Sequence, residues 1–150
     1  NVASSACEKG GAWEQALHLF YQMVDCRVDR DAITYNATIS ACEKGQQWVQ
    51  AFELFREMAE SSVERDSITY SAAVSACTTG QQWVLALQLL REMSDSHLER
   101  DTITYSAALS ACGKGEQLVQ ALQLFREMAD CRVEQDTITY NATVSACGKG

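Results

Sequence analysis

The chain has 150 residues, 47% of them hydrophobic and 21% charged, and carries a formal net charge of −8. That length ordinarily makes one globular domain, and the acidic balance withholds the broad cationic field with which most nucleic-acid binders hold phosphates. No apolar run approaches the roughly 18 to 20 residues needed to cross a bilayer, and the opening "NVASSACEKG" lacks the charged and apolar regions of a signal peptide.

Five of the seven cysteines, Cys7, Cys42, Cys77, Cys112 and Cys147, recur at intervals of 35 residues. They follow an internal repeat rather than a disulfide pattern, and an odd count without a C-x-x-C pair points to free thiols and away from a metal site. The repeat divides the chain into a leading partial unit (1–31), three complete units (32–66, 67–101 and 102–136) and a trailing partial unit (137–150). Because the chain opens and closes inside a unit, it is expected to be part of a longer array.

In the unit that begins at Ala32, Tyr35, Ile39 and Cys42 fall at i, i+4 and i+7, the spacing of one helical face. This predicts a first helix, A, with Gly45 at a left-handed terminus. Trp48, Ala51, Phe52, Phe55 and Met58 then repeat the helical spacing and predict a second helix, B. "SSVERD" breaks the pattern, and Asp66 stands where the next helix needs an N-cap. The same order returns from Ser67 and from Thr102, and its helix A again from Thr137. Units this short cannot bury their apolar faces alone, so they must stack into an all-α solenoid, with A helices on one surface and B helices on the other. The pattern leaves the winding right- or left-handed.

Helix A carries a second stripe about 125° from the first, at about 100° per residue. It comprises Ile33, Asn36, Ser40 and Lys44, then Ile68, Ser71, Ser75 and Thr79, then Ile103, Ser106, Ser110 and Lys114, then Ile138, Asn141, Ser145 and Lys149. An aliphatic, a short polar and usually a cationic side chain suit a base face, a base edge and a phosphate. Each has an ordinary alternative: Ile33 as core, Asp66 as a cap alone, Lys44 as a cation at a helix C-terminus. The Asn/Ser alternation at Asn36, Ser71, Ser106 and Asn141 is harder to explain that way, because neither residue favours a helix interior.

With "ITYN" opening helix A, "ACEKG" closing it and "AFELFREM" in helix B, the 35-residue unit resembles the pentatricopeptide repeat. The resemblance covers the whole chain. It implies a right-handed superhelical solenoid that binds single-stranded RNA at roughly one base per unit, in a chloroplast or mitochondrion, in RNA processing, stability or translation. It further implies that the fifth and last residues of each unit read the base. Those are Asn1 with Asp31, Asn36 with Asp66, Ser71 with Asp101 and Ser106 with Asp136, while Asn141 lacks its partner. By the family's pairing these prefer U-U-G-G. An ionised Asp only accepts hydrogen bonds, which suits the imino N–H of uracil and guanine. Ile33, Ile68, Ile103 and Ile138 match the family's base-sandwiching position, and Lys9, Lys44, Lys114 and Lys149 its phosphate contacts.

Two departures stand out. Thr79 replaces the lysine, and Arg30, Arg65, Arg100 and Gln135 stand where the family has proline before the last Asp, which predicts a less rigid turn between units. The acidic residues Glu53, Glu57 and Glu60 fall on or after helix B, away from the stripe.

"HLE" at His97 to Glu99 matches only the start of a zinc-deaminase signature, His18 is isolated, and no nucleophile constellation or phosphate-binding glycine loop recurs. The Asn36-Ala37-Thr38 and Asn141-Ala142-Thr143 triplets fit the glycosylation pattern but fall within a helix. The expectation is therefore an RNA-binding module without catalysis, cofactor, metal, membrane or small-molecule substrate. The alternative is a protein-interaction scaffold, with protein partners on the concave surface.

Overall fold

The computed structural model describes residues 13–149, without the side chain of Lys149. Eight α-helices and no strands occur among the described residues: α1 (Trp13–Asp25), α2 (Ala32–Lys44), α3 (Trp48–Glu60), α4 (Ser67–Thr79), α5 (Trp83–Asp95), α6 (Thr102–Lys114), α7 (Leu118–Asp130) and α8 (Thr137–Lys149). The even-numbered helices are A helices and the odd-numbered ones B helices, so the helix-turn-helix repeat holds throughout.

Each A helix starts at a cap written into the sequence. Asp31, Asp66 and Asp101 have extended backbone, and the side chain of each accepts from the backbone N–H three residues on, at Thr34, Thr69 and Thr104. The C-terminal end differs from the expectation. Gly45 has φ −82°, and the left-handed residue is the next one, Gln46, at φ 61°. Gln46 N–H donates to Glu43 O at 3.0 Å and Gln47 N–H to Cys42 O at 2.8 Å, the two bonds of a Schellman ending. Gln81 and Glu116 repeat this after α4 and α6.

Gly45 is glycine for a steric reason instead. A Cβ there would lie 2.1 Å from Cδ1 of Trp13, and at Gly80 and Gly115 it would meet the rings of Trp48 and Trp83 at 2.5 and 2.4 Å. The indole that opens each of these B helices lies flush against the end of the next A helix.

Tyr35, Ile39 and Cys42 are fully buried, as are Ala51 and Met58, so the first helical face is core in the complete units, whereas Tyr140, Val144 and Cys147 of α8 are exposed. The Phe late in the B helix meets the next unit's Tyr edge to face: Phe20 with Tyr35 at 5.0 Å, Phe55 with Tyr70 at 5.2 Å and Phe125 with Tyr140 at 4.8 Å between ring centroids. Each such pair adds about 0.5–1.5 kcal/mol beyond the area it buries. Successive A helices bring their Cα atoms within 8 Å of one another, whereas among the described residues successive B helices do not. The small Ala73, Ala76, Ala108 and Ala111 are buried on the A helices and permit the close approach. The array therefore curves, with its A helices inside.

The turn between units is anchored rather than loosened by the absence of proline. The Arg30 guanidinium lies 4.4 Å from the Phe20 centroid and 5.5 Å from that of Tyr35, and pairs with Glu57 at 2.9 Å. Arg65 repeats the stacking against Phe55 and Tyr70 at 4.3 and 5.5 Å. Arg100 stacks on Tyr105 and pairs with Glu127, while Gln135 Nε2 donates to Phe125 O at 2.8 Å. At Arg30 a cation between two rings, paired with a carboxylate, joins three helices at the junction.

Candidate nucleic-acid interface

The A helices form the inner surface, and the second stripe lies on it. Ile33, Ile68, Ile103 and Ile138 are 64, 66, 66 and 61% exposed, so they are not core. Four aliphatic side chains held in water at the same place in every unit form a row of apolar ledges, one per unit. Asn36, Ser71 and Ser106 are half-buried behind them, Asn141 is exposed, and Lys44 and Lys114 are exposed at the far end of their helices. A shallow groove between α4 and α6 brings Ser75 and Thr79 of one unit against Ile103, Ser106 and Ser110 of the next. Asn1 and Lys9 lie outside the described residues, as does the side chain of Lys149.

The fifth and last residues of a unit are 30 residues apart in sequence, and the structure brings one such pair together. Asn36 Nδ2 donates to Asp66 Oδ1 at 3.2 Å. The same Oδ1 accepts from the Thr69 backbone N–H at 3.0 Å, so Asp66 caps α4 and holds Asn36 at once. Cap and reader are therefore compatible roles for one carboxylate. Partial burial works against the ionised form, but the hydrogen bonds from Thr69 and Asn36 together hold the Asp66 carboxyl below the usual range. Asp31 is likewise lowered, chiefly by the backbone and side-chain hydrogen bonds of Thr34. Both are anionic at neutral pH and offer only acceptors.

Ser71 reaches its Asp differently. Its Oγ lies 2.8 Å from Thr104 Oγ1, and Thr104 Oγ1 donates to Asp101 Oδ1 at 2.7 Å. Ser106 and Asp136 are not joined, since the Thr139 hydroxyl turns to the Asp136 carbonyl at 2.8 Å. The threonines at the third position of each unit escaped the sequence reading, although Thr34, Thr69, Thr104 and Thr139 are identical in every copy and that identity was the available signal. All four are buried.

The remaining chemistry is spare. Cys42, Cys77 and Cys112 are buried, and desolvation pushes their thiols up to about 12, about 12 and about 11. The described cysteines are all free thiols. No cluster of metal-ligating side chains occurs among the described residues, and no helix among them is long and apolar enough to cross a membrane. Thr38, in the Asn36 triplet, is fully buried and donates to the Thr34 carbonyl at 2.8 Å.

Comparison with known proteins matches this fold. The chain is similar to the PPR domain of Arabidopsis thaliana protein-only RNase P 1, solved in complex with tRNA, with a TM-score of 0.87 and 16% identity over 97% of this chain and 77% of that one. It is also similar to PPR10 in complex with an 18-nucleotide psaJ RNA element (TM-score 0.73, 21% identity, 84% of this chain and 19% of that one). A third similar structure is nuclear proteinaceous RNase P 2 of A. thaliana (TM-score 0.84, 13% identity, 95% and 32%). The chain thus spans about a fifth and about a third of the last two. It matches no curated protein sequence. Residues 30–79 and 100–149 match the profile described as "PPR repeat family", and residues 1–28 and 68–98 that described as "PPR repeat". The repeat length, the two-helix unit and these matches agree: the chain belongs to the pentatricopeptide repeat (PPR) family.

Proposed function

We propose that this chain is a sequence-selective single-stranded RNA-binding module that reads roughly one base per repeat and prefers U-U-G-G. The observation that carries the reading is the Asn36–Asp66 hydrogen bond across a unit boundary, with Ile33 and Ile68 exposed on either side. A base placed between the two isoleucines would meet that polar pair at its edge. In this reading Asn1, Asp31, Asn36, Asp66, Ser71, Asp101, Ser106, Asp136 and Asn141 contact base edges. Ile33, Ile68, Ile103 and Ile138 flank the bases, and Lys9, Lys44, Lys114 and Lys149 meet phosphates.

Two of the similar structures are named as RNA complexes, one with tRNA and one with a psaJ element, which supports RNA as the ligand class. The repeats supply binding alone in this account; cleavage of the kind named for the RNase P proteins would need residues beyond the two-helix unit. In this reading the module acts in a chloroplast or mitochondrion, in RNA processing, stability or translation, as family membership suggests. The net charge of −8 favours a protein scaffold as the second reading.

Titration against short RNAs containing UUGG, UUAA and CCGG at fixed salt tests the proposal. Tightest binding of UUGG supports it. Equal binding of the three RNAs contradicts the base reading, and no binding to any of them turns the search towards a protein partner.

A further inference from the structure

The Asn36 and Ser71 side chains differ in what they have left to offer a base, and the difference is set one unit downstream. A threonine hydroxyl has one hydrogen to give. Thr104 gives its hydrogen to Asp101 Oδ1, since a carboxylate can only accept. The Ser71 Oγ, 2.8 Å away, must then be the donor to Thr104. Ser71 has spent its only hydrogen, and towards a base it can act only as an acceptor.

The Asn36 unit runs the other way. Thr69 Oγ1 lies within hydrogen-bond reach of both Asn36 Oδ1 and Asp66 Oδ1. Asn36 Nδ2 already donates to Asp66, which turns its Oδ1 towards Thr69. The single Thr69 hydrogen is shared between these two acceptors, and it holds the Asn36 Oδ1 that is turned towards it. The Asp66 backbone N–H completes the arrangement by donating to Thr69 Oγ1 at 3.3 Å. Asn36 is pinned at both ends of its amide, with one Nδ2 hydrogen unspent.

We infer that Thr69 and Thr104 are positioning residues for specificity, each setting the hydrogen-bond polarity of the base-reading residue in the preceding unit. The inference rests on the RNA-binding reading above. Its chemistry explains the two preferences. Ser71 and Asp101 present acceptor beside acceptor, and among the four bases only guanine offers two adjacent donors, N1–H and N2–H, on its Watson–Crick edge. Asn36 and Asp66 present donor beside acceptor, which fits the carbonyl and N3–H of uracil, and the longer Asn side chain reaches the smaller pyrimidine. At these two boundaries the buried threonine hydroxyl donates to Asp101 alone where the preceding unit carries Ser71, and is shared between Asp66 and Asn36 where it carries Asn36.

The test is Thr104→Val, which keeps the shape and the backbone cap but removes the hydroxyl, with Thr69→Val as its counterpart and Thr104→Ser as the rescue. The 150-residue chain and each variant are titrated with UUGG, UUAG and UCGG. Thr104→Val is expected to lower the preference for UUGG over UUAG by about tenfold and to leave the preference over UCGG unchanged. Thr69→Val should do the reverse, and Thr104→Ser should restore the first ratio. If one valine variant does not fold, as judged by circular dichroism, the other still carries the test at its own base. The inference is overturned if the parent chain discriminates at both bases and the folded variants keep both ratios or weaken all three RNAs equally. A parent chain that binds the three RNAs alike overturns the RNA-binding reading itself, and this inference with it.

Discussion

Gly80 lies against the Trp48 ring so closely that an added Cβ would sit 2.5 Å from it, while its neighbour Gln81 holds a left-handed backbone at φ 56°. The two positions therefore reverse the usual allocation, in which glycine takes the left-handed residue. Gly80→Ala is expected to lower stability by about 1–3 kcal/mol by forcing the indole out of its seat. Gln81→Gly is expected to raise stability by about 1 kcal/mol by removing the left-handed penalty of an L side chain. Urea titration of the two variants checks both signs.

The Arg100–Glu127 pair tests whether the junction is anchored without proline. Glu127 also accepts from Tyr105 Oη at 3.0 Å, and the two charged side chains are 18% and 41% exposed. Solvent screening at that exposure limits the pairwise coupling to about 0.2–1 kcal/mol. A double-mutant cycle with Arg100→Met and Glu127→Gln should return a coupling in that range, falling with added salt. Arg100→Ala should cost more than Arg100→Met, because the stem also packs on the Tyr105 ring.

Thiol chemistry should separate core from surface. Cys26, Cys131 and Cys147 are exposed, whereas Cys42, Cys77 and Cys112 are buried. A disulfide reagent at pH 8 should modify the first three quickly and the second three only at the rate of opening. The pH dependence has a definite sign. Burial raises the Cys77 thiol from its ordinary 9.0 to about 12, so unfolding releases a group that ionises more readily. The stabilising contribution is full below pH 9 and is lost as pH rises from 9 towards 12. Cys77→Ala should flatten that decline.

Thr79 breaks the lysine row on the inner surface. If that row meets phosphates, Thr79→Lys should tighten RNA binding and steepen the dependence of log affinity on log salt by about 0.7. Binding measured at several salt concentrations distinguishes this from a change in folding.

Much of this molecule could be read from its sequence because every feature is written four times. The 35-residue period, the Asp caps and the face of Tyr35, Ile39 and Cys42 are all local signals, and the structure repeats them through the three complete units. The exposed stripe was also legible, since Ile33 falls outside the core face. What stayed hidden depends on contacts across units. The role of Gly45 is set by Trp13, 32 residues earlier, and no local turn signal distinguishes a glycine chosen for space from one chosen for φ. Arg30, read as a missing proline, proves to be held by Phe20 behind it and Glu57 ahead. Thr69 lies in the first turn of α4, and only its approach to Asn36 of the preceding unit reveals a second use.

The measurement that bears most directly on the central claim is a base-preference switch. Ser71→Asn and Ser106→Asn together convert both guanine-reading units into copies of the Asn36 unit, which already accommodates that side chain beside Asp66. The account predicts that the parent chain prefers UUGG and the double variant UUUU, with circular dichroism and melting little changed. Unchanged preference in a folded variant would contradict it and remove the stripe from any role in base selection.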